Sequence, residues 1–86
     1  MDVKLKVEKR DTGLEEFYYD KLLASISKTG LDIKNAEEVA NDIVSWAQAN
    51  AVNGIVTSVE LRDAVTKRLL NDYPAEAENY SVYKKE

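Results

Sequence analysis

The sequence predicts an α+β fold dominated by helix, with about four short helices packed together and a small sheet laid over one end. Three observations predict it. Apolar and charged residues alternate with period two near the N-terminus, and from Tyr19 onward apolar residues recur every three to four positions in four separate stretches. The third is composition: 44% hydrophobic and 33% charged residues with only 3 Gly and 1 Pro suit a compact helical chain rather than a disordered or fibrous one. At 86 residues the chain is expected to be a single domain, residues 1–86, too short for a catalytic domain beside a second one.

The alternation Val3-Lys4-Leu5-Lys6-Val7-Glu8-Lys9 places Val3, Leu5 and Val7 on one face of a first strand. Asp11-Thr12-Gly13 reads as a turn, with Gly13 free to adopt positive φ, and Leu14 to Phe17 as the second strand of a hairpin. Tyr19, Leu22, Leu23 and Ile26 then fall on one stripe of a helix that Gly30 stops. After a linker over Leu31 to Lys34, Asn35 is the expected N-cap of a second helix, whose buried stripe is Ala36, Val39, Ala40, Ile43, Trp46 and Ala47. Asn53-Gly54 breaks the chain, and Ile55 to Thr57 is long enough for a third short strand.

Thr57-Ser58-Val59-Glu60 has the capping-box pattern, so a third helix is expected from there to about Asn71. It would bury Leu61, Ala64, Val65 and Leu69 and leave Glu60, Arg62 and Lys67 in water. Pro74 suits the first turn of a fourth helix reaching about Lys85, with Ala77, Tyr80 and Tyr83 inward.

Zero Cys and zero His exclude disulfides, zinc fingers, thiol nucleophiles and imidazole bases, and with them most ordinary enzyme chemistry. No metal site is expected. The formal net charge of -4 argues against a protein that coats nucleic acid, and a DNA-binding reading through Arg62, Lys67 and Arg68 is disfavoured for the same reason. No apolar run approaches the roughly 20 residues that cross a bilayer, so a cytoplasmic protein is expected, with no membrane contact. Glycine-rich phosphate loops are absent. What remains is Lys9-Arg10 at the end of the first strand and Lys21 in the first turn of the first helix, where cations and backbone N–H groups could converge on an anion.

The order of these residues is similar to that of the ATP-cone domain. The similarity rests on Val7-Glu8-Lys9-Arg10-Asp11, then Glu15, Phe17, Lys21-Leu22 and Ser25-Ile26, then Val56-Thr57-Ser58 and Leu61, and finally Ala77, Tyr80, Tyr83 and Lys84, and it spans the chain from about Val3 to Lys85. The family pattern runs V-x-K-R-D-G-x-x-E-x-F-x-x-x-K-[IL] and ends in A-x-x-Y-x-x-Y-R. The resemblance implies a four-helix bundle covered by a small two- or three-stranded antiparallel β lid. It implies a regulatory, non-enzymatic domain that binds ATP or dATP, with Mg²⁺, as a ligand and not as a consumed substrate. It places the phosphates on Lys9, Arg10 and Lys21, with Lys84 or Lys85 adding charge, lets Glu15 and Thr57 orient the nucleotide, and packs the adenine near Val7 and Ile26.

The expected function is therefore a stand-alone nucleotide-sensing module acting on a partner protein, or on its own association. Three positions depart from the family. Thr12 stands where Gly is usual, Tyr18 replaces an Asp or Asn that would cap the helix, and Leu61 falls where some members carry a histidine. These departures motivate an alternative, an interaction domain of the same fold without nucleotide binding.

Overall fold

A computed structural model describes residues 4–10 and 13–83, the last for its backbone only. The element order is β1 (Lys6–Lys9), β2 (Gly13–Glu16), α1 (Tyr19–Ser27), α2 (Ile33–Asn50), β3 (Ile55–Thr57), α3 (Ser58–Asp72) and α4 (Pro74–Tyr83). Val3, Asp11, Thr12, Lys84 and Lys85 lie outside the described residues, as does the side chain of Tyr83.

The period-two pattern does what it predicts: Leu5 and Val7 are buried while Lys4, Lys6 and Glu8 are exposed. β1 pairs antiparallel with β2, with Val7 opposite Glu15 and Lys9 opposite Gly13, whose φ of 84° takes the left-handed conformation expected of it. β1 also pairs with β3, Val7 opposite Val56, but this ladder is parallel. The sheet has the order β2-β1-β3 and is mixed, which corrects the expectation of an antiparallel lid. The reason is topological. β3 is reached only after α1 and α2, a connection long enough to bring the chain back to the end of the sheet where β1 began.

The four expected helices are present, and α1 packs on α2, α2 on α3 and α3 on α4. These successive pairs realise the anticipated bundle only in part. The sheet lies against α3, and its inner residues Leu5, Val7 and Val56 join Phe17, Leu22, Ile26, Val39, Val65 and Leu69 in one buried cluster. Gly30, at φ 111°, closes the turn after α1. Trp46 is half-buried at the margin of that cluster rather than inside it.

β2 runs one residue earlier than the expected Leu14 to Phe17, and the start of α2 also differs from expectation, whereas α3 ends close to where it was expected. α2 begins at Ile33, inside the predicted linker, because the cap is Asp32: its Oδ1 accepts from the backbone N–H of Asn35, 2.9 Å away. α3 ends at Asp72, where Tyr73 leaves helical geometry ahead of Pro74.

Two polar contacts fix the helices against each other. Tyr19 donates from its hydroxyl to Asn41 Oδ1 at 3.0 Å, tying α1 to α2. Arg68 on α3 donates through Nε to Asp42 on α2 at 2.8 Å and through Nη1 to Asp72 at 2.9 Å, with Glu38 at 3.8 Å. The hydrogen bond to Asp42 raises the Arg68 pKa above its ordinary value, against the opposing effect of burial. Of the three residues in the DNA-binding reading, only Lys67 is exposed.

Candidate functional site

Between the sheet and the helices lies a cleft of about 290 Å³, near the lower end of small-molecule sites, which run to about 300–1,000 Å³. Each wall follows from the periodicity of its own element. On α1, Lys21, Leu22 and Ser25 share one face, with Tyr18 at the cap position just before the helix; on α3, Ser58, Leu61 and Arg62 repeat the i, i+3, i+4 spacing. The sheet contributes Val7 and Lys9 from β1 with Glu15, Glu16 and Phe17 from β2 and its exit, and α4 contributes Tyr80.

Strand parity explains why Lys9 belongs to this wall. It lies two residues beyond Val7, hence on the inner face of β1, and Glu15, opposite Val7, reaches it diagonally across the ladder with Oε1 3.6 Å from Nζ. Lys6 and Glu16 sit directly opposite each other across the same ladder, 3.4 Å apart. Arg10 is exposed at the hairpin turn and is not part of the cleft wall.

Among the described residues, three cations from three elements thus border one cleft: Lys9 from β1, Lys21 from α1 and Arg62 from α3. Lys21 is positioned by an aromatic neighbour, its Nζ lying over the Tyr18 ring at 5.1 Å from the centroid. The apolar lining is Val7, Phe17, Leu22 and Leu61, and Ser25 is internally satisfied, its hydroxyl donating to the carbonyl of Leu22 at 2.9 Å. Residues at two helix N-termini, Tyr18 before α1 and Ser58 in α3, border this cleft. The N-terminus of α1 has no side-chain cap, because Tyr18 occupies the cap position and offers no short acceptor. That of α3 is closed by the full capping box: Thr57 Oγ1 accepts from Glu60 N–H at 3.0 Å, and Glu60 Oε1 accepts from Thr57 N–H at 3.1 Å.

The family model of the ATP cone domain matches residues 5–86. The chain belongs to the ATP-cone family. No curated protein matches it significantly.

Of the residues carried over from the family, the cone brings Val7, Lys9, Glu15 and Lys21 to one cleft. Ile26, expected beside the adenine, is not on the wall. It has zero exposure and sits in the core, one turn further along the α1 stripe than Leu22. Thr57 is engaged in its cap, and Lys84 and Lys85 lie outside the described residues.

Arg62 is the residue that sequence reasoning misplaced, since it borders the cleft of the cone instead of standing in open water. The signal for it was present in the i, i+3, i+4 spacing of Ser58, Leu61 and Arg62. Among the described residues no group of acidic, His or Cys side chains is arranged to hold a metal ion, and no helix is long and apolar enough to cross a membrane.

Proposed function

We propose that this ATP cone is a regulatory module that binds ATP or dATP as an effector, in the cytoplasm, and passes its occupancy to a partner protein or to its own association. The observation that carries this reading is the convergence of Lys9, Lys21 and Arg62 on one cleft that also has an apolar wall. A triphosphate requires several cations, and a planar, weakly polar base requires an apolar slot. Glu15 and Glu16, the acidic members of the wall, face Lys9 and Lys6, which offsets their repulsion of an incoming anion.

In the bound form Lys9 and Lys21 pair with phosphate oxygens as point charges, and Arg62 offers a planar fork suited to two of them at once. The uncapped first turn of α1 adds backbone N–H groups and the positive end of its dipole. Mg²⁺ enters with the triphosphate. A regulatory role asks only that the nucleotide favour one conformation over another, so the shift is bounded by its differential affinity for the two.

Titration calorimetry with ATP and with dATP in the presence of Mg²⁺ tests this reading. Sub-millimolar binding, weakened roughly tenfold by Lys9→Gln or Lys21→Gln, is expected, each charge-assisted contact being worth about 1.5–3 kcal/mol. Absence of binding by either nucleotide at millimolar concentration overturns it and leaves an interaction domain of the same fold.

A further inference from the structure

The chain passes from α2 to β3 through a two-residue turn. Val52 and Ile55 exchange two backbone hydrogen bonds, each at 3.0 Å, and Asn53 and Gly54 between them take positive φ, 55° and 76°. Asn-Gly is the pair such a turn favours, because both residues tolerate the left-handed region. The Gly54 carbonyl accepts from the Lys6 N–H at 2.9 Å, so the turn also fixes the point at which β3 joins β1.

Asn53 is exposed, and among the described residues no hydrogen bond holds its carboxamide or the N–H of Gly54. Gly54 has no Cβ to shield its nitrogen. The other asparagines, Asn35, Asn41, Asn50, Asn71 and Asn79, all lie in helices, and none of them precedes a glycine.

We propose that Asn53-Gly54 is a site of spontaneous deamidation, and that its isoaspartyl product unpins β3 from the sheet. The Gly54 nitrogen attacks Asn53 Cγ, and the new N–Cγ bond closes a succinimide ring. The bond from Cγ to the side-chain nitrogen breaks, and that nitrogen leaves as ammonia, taking the proton given up by Gly54. Water then opens the ring. Cleavage of the N–Cγ bond gives aspartate, whereas cleavage between the same nitrogen and the main-chain carbonyl carbon gives isoaspartate, whose backbone runs through the former side chain and is longer by a carbon.

The two products differ in what they do to the fold. Aspartate keeps the turn, since Asp-Gly suits the same geometry. Isoaspartate does not, because a two-residue loop has no slack for an extra backbone atom, so the Val52–Ile55 pair and the bond from Lys6 to Gly54 are lost together. Ring closure also rotates the Asn53 backbone out of its turn geometry. The reaction therefore proceeds through the opened turn and is slower in the folded chain than in a free peptide.

The test incubates the full chain, Asn53→Asp and Asn53→Gly at mildly alkaline pH beside a synthetic peptide of residues 50–57. Each is followed by peptide mass mapping, by labelling with an isoaspartyl methyltransferase and by thermal melting. Asn53→Gly removes the carboxamide and leaves a pair still suited to the turn. In the parent chain, conversion is expected at Asn53 and at no other asparagine, with isoaspartate the main product, and the isoaspartyl fraction should melt at a lower temperature than the unconverted one. Freshly purified Asn53→Asp should melt with the parent, and Asn53→Gly should take up no label and keep its melting temperature throughout.

Conversion in the peptide without conversion in the chain overturns the site, and so does conversion spread evenly over the asparagines. An isoaspartyl fraction that melts with the parent overturns the consequence for β3. Each of these outcomes is independent of what the cleft binds.

Discussion

At the scale of single residues, parity on a strand decides which cations face the ligand. Lys9 shares a face with Val7 and borders the cleft, whereas Arg10 is exposed at the turn, so Arg10→Gln is expected to weaken ATP binding less than Lys9→Gln when the two are compared by calorimetry. Tyr19 supports a prediction of a different kind. Burial, and then the negative charges of Glu37 and Asp20, raise its phenol above the ordinary value of 10.0. The folded chain therefore holds that proton after the unfolded chain has released it. The stabilisation is complete below the unfolded pKa and is lost as pH rises through the folded one. Thermal melts from about pH 9 to about pH 11 should accordingly fall less steeply for Tyr19→Phe than for the parent. Part of the site is legible at this scale: strand alternation places Lys9 on the face of Val7, whereas Glu15 reaches Lys9 only through the register of the hairpin, and in the sequence it is the family resemblance that singles out Glu15. The helix stripe places Ile26 inward, where it has zero exposure; it is the family resemblance that sets it beside the adenine, and a resemblance in sequence order does not say how deep a side chain sits. Arg62 was missed because α3 is polar on most sides, so a charge turned toward a cleft looks like one turned toward water.

At the scale of elements, the capping box of α3 is the feature most directly tied to sequence. Thr57→Ala should lower the stability of the chain by about 0.5–2 kcal/mol, measured by urea denaturation, and Thr57→Ser should restore most of it. If Thr57 acts through its cap, calorimetry on the folded variant will give the parent affinity for ATP. Four helices, the stop at Gly30 and the start at Pro74 could all be read from the chain, since each has a local chemical cause. The start of α2 could not, because Asp32 and Asn35 are both competent caps three residues apart and Ile33 between them is 59% exposed, giving no apolar signal that the helix has begun. The direction of β3 was also hidden. An alternating pattern is the same read either way along a strand, and only the route of the intervening helices fixes how it pairs.

At the scale of the whole molecule, one buried cluster supports both the helices and the sheet, so injury to it is felt everywhere. Ile26→Ala removes a side chain with zero exposure and should cost about 2–5 kcal/mol, a large part of the roughly 5–15 kcal/mol that holds a domain together. Leu70→Ala, at a position 54% exposed, should change the denaturation midpoint by no more than about 0.5 kcal/mol in equivalent stability. The pairing of β1 with β3 bears on how the chain reaches this state. Lys6 meets Ile55 across the ladder, and such distant partners can find each other only after the segment between them has been drawn in, whereas the hairpin of β1 and β2 closes locally. In pulse-labelled hydrogen exchange during refolding, amides in the middle of α2 should gain protection before those bridging β1 and β3, so that the roof over the cleft is the last part of the molecule to be laid.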